Sequence, residues 1–276
     1  MEAVVLAGGL GTRLRAAVSD VPKPMAPVGG RPFLERLLDY WIGQGVRRAV
    51  LAVGYMYDTI RRHFGDEYRG CAIAYSIENH PLGTGGALIQ ALPLVQDPTF
   101  LVLNGDTYFA VPLDALAAFH GQHGADVTMS LFRSDEPRYT GVSLDANGRV
   151  ASFSGQGLVN GGVFLFERAA LARRVPAGVA SLEKDLLPGL GAAIYGCVFD
   201  DAFGMASTSP PASVAVPGGC PTTSRVTTES QTAAEPEAHV REGTRSLNFT
   251  RGPESPRCPT PPGCRLRRRT HPRRRM

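Results

Sequence analysis

The sequence predicts an α/β fold in which a mostly parallel sheet is flanked by helices, and two observations predict it. Short apolar, β-branched runs recur at 2–7, 49–53, 72–77, 100–103 and 127–132, and helical patterns stand between them at 33–44, 58–64, 86–92 and 113–123. Strands alternating with helices favour a parallel sheet with helices on both faces. The first run, Glu2-Ala3-Val4-Val5-Leu6, follows Met1 with no basic stretch, so it reads as a strand and not as a signal peptide. The clearest helix is 33–44, with Phe33, Leu37, Leu38 and Trp41 on one stripe and Glu35, Arg36 and Asp39 off it. From Gly141 onward short strands and turns take over: a hairpin at Ala146-Asn147-Gly148, a strand at 161–166 and a short helix at 181–187. The pattern ends at 197–203. Open sheets of this kind bind ligands at the carboxyl ends of their strands, so the residues just after each strand are the ones to inspect.

The 276 residues suffice for one large α/β domain or two small ones. The net charge of +4 hides a split. Residues 204–276 carry twelve Arg, no Lys, five Glu and no Asp, a balance of +7, while residues 1–203 hold 17 basic and 20 acidic side chains, a balance of −3. The front is thus a slightly acidic domain over 1–203. The tail, 204–276, holds eleven of the 22 prolines, no Ile, Tyr or Trp, one Phe and two Leu, too little apolar surface to offset ordering entropy, so disorder is expected there. Its arginine runs at 265–269 and 273–275 could hold nucleic acid or an acidic membrane nonspecifically, but no aromatic interleaving supports specific nucleic-acid recognition. No stretch approaches the ~18 consecutive apolar residues of a transmembrane helix. Cys71 and Cys197 sit in apolar runs as buried thiols, and Cys220, Cys258 and Cys264 have no zinc-site spacing. A reducing, cytoplasmic setting is expected.

The first strand runs into Leu6-Ala7-Gly8-Gly9-Leu10-Gly11-Thr12-Arg13-Leu14. Glycines let backbone amides approach phosphates closely. Leu14 stands where a dinucleotide loop places its third glycine, and no Gly-Lys-Ser/Thr follows as in a P-loop. Arg13 adds a fixed guanidinium suited to charge that develops in phosphoryl or nucleotidyl transfer. Ten residues on, Val21-Pro22-Lys23-Pro24-Met25 presents one lysine between two stiffening prolines. Further on stand Pro81-Leu82-Gly83-Thr84-Gly85-Gly86, Asn104-Gly105-Asp106, Asn160-Gly161-Gly162 and Glu183-Lys184-Asp185. Taken alone, Asn104-Gly105-Asp106 is equally a turn, and Glu183-Lys184-Asp185 a charged helix start. His63, His80, His120 and His123 have no spacing that suggests a triad.

These motifs, over roughly residues 1–203, resemble the sugar-phosphate nucleotidyltransferase family. The segments 20–27 and 75–87 are most similar to its D-glycero-D-manno-heptose 1-phosphate guanylyltransferase branch. The resemblance implies a Rossmann-like sheet of the nucleotide-diphospho-sugar transferase type. It implies transfer of a nucleoside monophosphate, GMP from GTP, to a sugar 1-phosphate with release of pyrophosphate, as a step towards bacterial-type surface glycans. Leu6, Gly8, Gly9, Gly11 and Thr12 would then hold the nucleotide, and Arg13 the leaving pyrophosphate. Lys23 would contact the reacting phosphate, Gly83 and Thr84 the base, and Asp106 a Mg²⁺ ion. Gly141, Asn160 and Glu183 would hold sugar hydroxyls, and Lys184 the sugar phosphate. Glu78, five residues before Gly83, could accept from the adjacent N–H donors of guanine, or could be an exposed strand-end carboxylate.

Members of that family continue past this point with a segment that supplies a second metal-binding Asp; here Gly204-Met205-Ala206-Ser207 follows instead. A tail translated out of frame would produce this break. Three other readings stay open: a binding protein of the same fold without turnover, a mannose-1-phosphate guanylyltransferase, and a glucose-1-phosphate thymidylyl- or cytidylyltransferase. The sequence leaves the oligomeric state open.

Overall fold

The computed structural model describes residues 1–9, 21–134, 136, 141–172, 178–191, 193–200, 202 and 204–206, all within Met1–Gly218, the first of two units into which the chain divides. Strand β1 (Glu2–Leu6) is followed, after a 3₁₀ turn at Lys23–Met25, by the two-residue pair β2 (Pro27–Val28) and β3 (Arg31–Pro32). Helix α1 (Phe33–Gly43), β4 (Arg48–Val53), α2 (Tyr57–Phe64), β5 (Glu67–Tyr68), β6 (Cys71–Ile77) and α3 (Gly83–Ala91) come next. The chain continues through β7 (Thr99–Asn104), β8 (Thr107–Phe109), α4 (Leu113–His123) and β9 (Val127–Ser134). The last elements are β10 (Gly141–Leu144), β11 (Val150–Gly155), β12 (Gly157–Glu167), α5 (Arg168–Ala172), a π-helical turn at Leu182–Leu186, α6 (Leu187–Gly189), β13 (Ile194–Val198) and β14 (Gly204–Ala206).

The main sheet has the order β13-β9-β12-β7-β1-β4-β6-β5. β1 pairs in parallel with both β4 and β7, β4 with β6, and β13 with β9. β12 lies antiparallel between β7 and β9, and β5 antiparallel on β6. The chain therefore moves outward from β1 to β4 to β6, then returns to the other flank of β1 with β7. That reversal opens a crevice between the carboxyl ends of β1 and β7.

Both faces of the sheet are covered, which is why its central strands are continuous apolar runs. Along β1, Ala3 and Val5 face a layer containing Leu34, Leu37 and Trp41 of α1 and Ile60 of α2, while Val4 and Leu6 face Ala87 and Leu88 of α3. α1 has no side-chain cap at its N-terminus. Burying Leu34, Leu37, Leu38 and Trp41, each 1% exposed or less, holds it instead, at ~1.5–3 kcal/mol for a side chain of this size.

Three features depart from the sequence expectation. α3 starts at Gly83 and not at 86, because the carbonyl of Ala180 accepts the amides of Gly85 and Gly86, at 2.8 and 3.3 Å, and caps a glycine-rich turn that lacks its own cap. The helix expected at 181–187 begins as a π turn, in which the Ser181 carbonyl accepts from both Asp185 and Leu186, at 3.1 and 3.0 Å. Finally, Gly204–Ala206 pairs antiparallel with β8, with Ala206 opposite Thr107, so regular structure continues three residues beyond 203. The hairpin at 146–148 forms where expected: Asp145 accepts from the amides of Asn147 and Arg149 at 2.8 and 2.9 Å, and Gly148 takes φ +79°. Among the described residues no helix is long and apolar enough to cross a membrane.

Candidate active site

The crevice at the sheet reversal is a cleft of about 500 Å³. One wall is the end of β1 and the chain after it, Leu6 to Gly9; the other is Asn104-Gly105-Asp106 after β7. These walls are tightly joined at their base. The Gly105 amide donates to the Leu6 carbonyl at 2.9 Å, and a Cβ at position 105 would lie only 2.6 Å from that oxygen.

Lys23 enters from the 3₁₀ turn. The Met25 amide donates to Pro22 at 2.7 Å and the Ala26 amide to Lys23 at 3.1 Å, while Pro24 and Met25 are buried, so the backbone under the lysine is fixed. Its ammonium forms an ion pair with Asp106 Oδ2. Asp106 Oδ1 accepts from the Thr107 hydroxyl at 3.2 Å, and the Asp106 side chain remains 43% exposed. The sequence singled out both residues; the structure brings them into contact across 83 positions of chain.

Glu78 and Gly83–Thr84 form the third wall. The Glu78 amide donates to Val53 at 2.8 Å, continuing the sheet, and its Oε2 accepts from the Leu82 amide at 2.9 Å. Burial pushes this carboxyl above its ordinary value, while the Leu82 amide and the charge of His80 pull it part of the way back. Of the two readings of Glu78, the structure supports a cleft-lining carboxylate rather than an exposed strand end. Glu78 also borders a smaller hollow of about 230 Å³ with Gly54, Tyr55 and His80.

The residues expected on the sugar side do not line this cleft. Asn160 lies on β12 and donates to Glu183 Oε1 at 2.5 Å, while its own Oδ1 accepts from Gly162 at 2.9 Å. Glu183 and Lys184 are exposed on the π turn. Gly141 is buried at the start of β10, where a Cβ would crowd the Leu158 carbonyl, two residues before Asn160. Leu6, Gly8 and Gly9 reach the cleft as expected. Gly11, Thr12 and Arg13 lie outside the described residues. Asn104, the first residue of the Asn104-Gly105-Asp106 motif, also lines the cleft, although the sequence assigned a role within that motif only to Asp106.

The half-exposed Asp106 carboxylate, in a cleft roomy enough for a substrate's phosphates, fits Mg²⁺, which is held by one or two carboxylates with substrate phosphates and water completing its shell. It does not fit an ion caged by protein alone: among the described residues no group of three or more His, Cys, Asp or Glu side chains gathers.

An open, mostly parallel sheet with a glycine-lined cleft at its reversal point defines a nucleotide-binding α/β protein. Residues 2–187 match the family described as nucleotidyl transferase, and the chain belongs to that family. D-glycero-alpha-D-manno-heptose 1-phosphate guanylyltransferase of Campylobacter jejuni subsp. jejuni serotype O:2 is 42% identical over 174 residues, 61% of this chain and 76% of that protein. The protein of the same name from Aneurinibacillus thermoaerophilus is 37% identical over 210 residues, 74% of this chain and 91% of its own. Among solved structures, HddC from Yersinia pseudotuberculosis complexed with GMP-PN superposes with a TM-score of 0.66 at 32% identity, covering 76% of this chain and 94% of that one.

Proposed function

We propose that the protein transfers GMP from GTP to D-glycero-D-manno-heptose 1-phosphate and releases pyrophosphate. The observation that carries this reading is the meeting of Lys23 and Asp106 at the cleft between β1 and β7. The relatives' shared name supports the choice of substrates.

In this reaction an oxygen of the sugar 1-phosphate attacks the α-phosphorus of GTP, and the bond to the bridging oxygen of the leaving pyrophosphate breaks. The phosphate monoester is already an anionic nucleophile, so no covalent enzyme intermediate is required. The protein then contributes positioning and charge. The triphosphate is assigned to Gly8, Gly9, Gly11 and Thr12, and the leaving pyrophosphate to Arg13. Lys23 sets its ammonium against the reacting phosphate. Asp106 would hold Mg²⁺, which when bound neutralises charge on the phosphate oxygens. Glu78 accepts from the guanine edge, beside Gly83 and Thr84. Gly141, Asn160 and Glu183 hold the sugar hydroxyls, and Lys184 its phosphate. The setting is the cytoplasm, and the product a precursor of a bacterial surface glycan such as lipopolysaccharide or capsule.

A second reading has one observation in its favour: Gly204-Met205-Ala206, with no carboxylate, follows where the family resemblance implies a further metal-binding Asp. On that reading the protein binds nucleotide and sugar phosphate without turnover. One experiment separates the two. Pyrophosphate release is followed for four nucleoside triphosphates against heptose, mannose and glucose 1-phosphates with Mg²⁺. Release with GTP and the heptose supports the proposal. Release only with another pair replaces the substrates, and GTP binding with no release favours the second reading.

A further inference from the structure

Two helical starts in this fold cap each other. α3 begins with Gly83-Thr84-Gly85-Gly86 and has no side-chain cap; its amides at 85 and 86 are taken by the Ala180 carbonyl. The π turn begins at Leu182, whose amide has no partner within its own turn and donates to the Thr84 hydroxyl oxygen at 2.8 Å. A third bond runs from the Ala180 amide to the Leu82 carbonyl at 2.9 Å. The fit leaves no slack. Gly83 takes φ +72°, and a Cβ there would lie 2.5 Å from the Ala180 oxygen. Ninety-eight residues separate Thr84 from Leu182, so these bonds, together with the packing of Ala87 and Leu88 in one buried cluster with Leu182 and Leu186, hold the two segments in register.

The consequence lies in what each segment carries. Thr84 and Gly83 belong to the wall of the nucleotide cleft. The π turn presents Glu183 and Lys184. Four side chains orient that turn: Asn160 from β12 binds the Glu183 carboxylate, the Asp185 carboxylate accepts the Ser181 amide at 2.7 Å, the Ser181 hydroxyl accepts the Lys184 amide at 3.3 Å, and Thr84 accepts the Leu182 amide. Of these, Thr84 alone comes from the nucleotide side.

We propose that Thr84 is a positioning residue for the sugar phosphate: through the Leu182 amide it sets the Glu183–Lys184 turn relative to the nucleotide cleft. This rests on the reading above that Glu183 and Lys184 hold the sugar 1-phosphate. It differs from a contact with the base, because the ligand affected is the one Thr84 does not touch. Helical starts that cap one another also form together, so order in one wall reinforces order in the other.

The test uses the full chain and two variants. Thr84→Val keeps the shape and removes the acceptor; Thr84→Ser restores it. In Thr84→Val the KM for D-glycero-D-manno-heptose 1-phosphate is expected to rise about tenfold, the scale of one lost hydrogen bond, and by more than the KM for GTP, whose base Thr84 also adjoins. Thr84→Ser returns it to near the starting value. Deuterium exchange of the peptide spanning 180–187 in the free protein quickens in the valine variant and not in the serine one. A raised KM for GTP with an unchanged sugar KM would overturn the proposal and leave a base contact. Unchanged exchange at 180–187 would also overturn it. If the unsubstituted protein shows no turnover, calorimetric affinity for the heptose 1-phosphate replaces KM. If it does not bind that ligand, the substrate reading and the positioning role both fail, while the exchange arm still decides whether Thr84 holds the turn.

Discussion

Replacing Gly105 by alanine tests the claim that the cleft is built on the junction of β1 and β7. The new Cβ would stand 2.6 Å from the Leu6 carbonyl oxygen and 3.1 Å from Ala7 Cα. A carbon and a carbonyl oxygen settle at ~3.3 Å or more, so the two strand ends must part by roughly 0.7 Å. Neither obstacle is a side-chain tip that can rotate away; both are backbone. The amide bond from Gly105 to Leu6 must stretch as well. Overpacking of this kind costs ~1–3 kcal/mol. The displacement falls one residue before Asp106 and two before Gly8, and misplacing reacting groups by ~1 Å can cost ~100-fold in rate. Urea unfolding should therefore show a lower midpoint with an unchanged slope, and pyrophosphate release should fall by one to two orders of magnitude, as roughly estimated from that displacement. Gly121→Ala in α4 is the control, since a Cβ there meets nothing within 4 Å and should stabilise by ~0.5–1 kcal/mol. If Gly105→Ala matched the parent protein in both midpoint and rate, the junction would not be what sets the cleft.

Asp106→Ala, and equally Arg13→Ala, should lower turnover at least ~100-fold in steady-state pyrophosphate release, the scale of losing a preorganised electrostatic contact. Lys23→Gln should also slow turnover, but by freeing the Asp106 carboxylate it should tighten Mn²⁺ binding to the nucleotide-free protein by about two- to fivefold in calorimetry, the range of a partly exposed ion pair. Weaker Mn²⁺ binding would mean that the ion pair does not compete with the metal. Glu78→Gln should raise the melting temperature of the free protein at pH 7 while weakening GTP about tenfold or more. The sign follows from burial, which raises the folded pKa of Glu78 above its ordinary 4.5. The native state then binds its proton more tightly than the unfolded chain, so stability falls as pH climbs from about 4.5 through the raised value. The amide-bearing variant escapes that loss, and a scan at pH 4 should show the advantage gone.

Elements that bury an apolar face were legible, and those held by partners distant in sequence were not. β1, β4 and β7 are buried on both sides and read as unbroken apolar runs, and the stripe Phe33, Leu37, Leu38, Trp41 marks α1 at once. Nothing in the run 161–166 states that β12 turns antiparallel between β7 and β9, because direction leaves no trace in hydrophobic pattern. The start of α3 was missed for a related reason: its glycines have poor helical propensity, and its cap comes from Ala180, nearly a hundred residues on. The site divides the same way. Gly8, Gly9 and Asp106 follow strands directly, so the sheet rule finds them. Glu183 and Lys184 lie on a charged turn like many others, and only the family pattern distinguishes them. The Lys23–Asp106 contact lay beyond both signals, since each residue is marked only by its own segment and the pairing across 83 positions is made by the fold.

The last described strand shows how a structural and a chemical task can come apart. Gly204–Ala206 joins β8 through a ladder in which Gly204 stands opposite Phe109 and Ala206 opposite Thr107. Such a ladder needs only main-chain N–H and C=O groups, which almost any sequence supplies. Holding a divalent cation needs a carboxylate oxygen at a fixed position, which glycine, methionine and alanine do not have. A closing segment without a carboxylate can therefore still cover the edge of β8, and so leave nucleotide binding intact; under the proposed reaction Mg²⁺ would then have only Asp106 and the phosphates to hold it. Loss at this point would fall on turnover before it fell on affinity, which is why GTP binding and pyrophosphate release have to be measured separately on the same preparation.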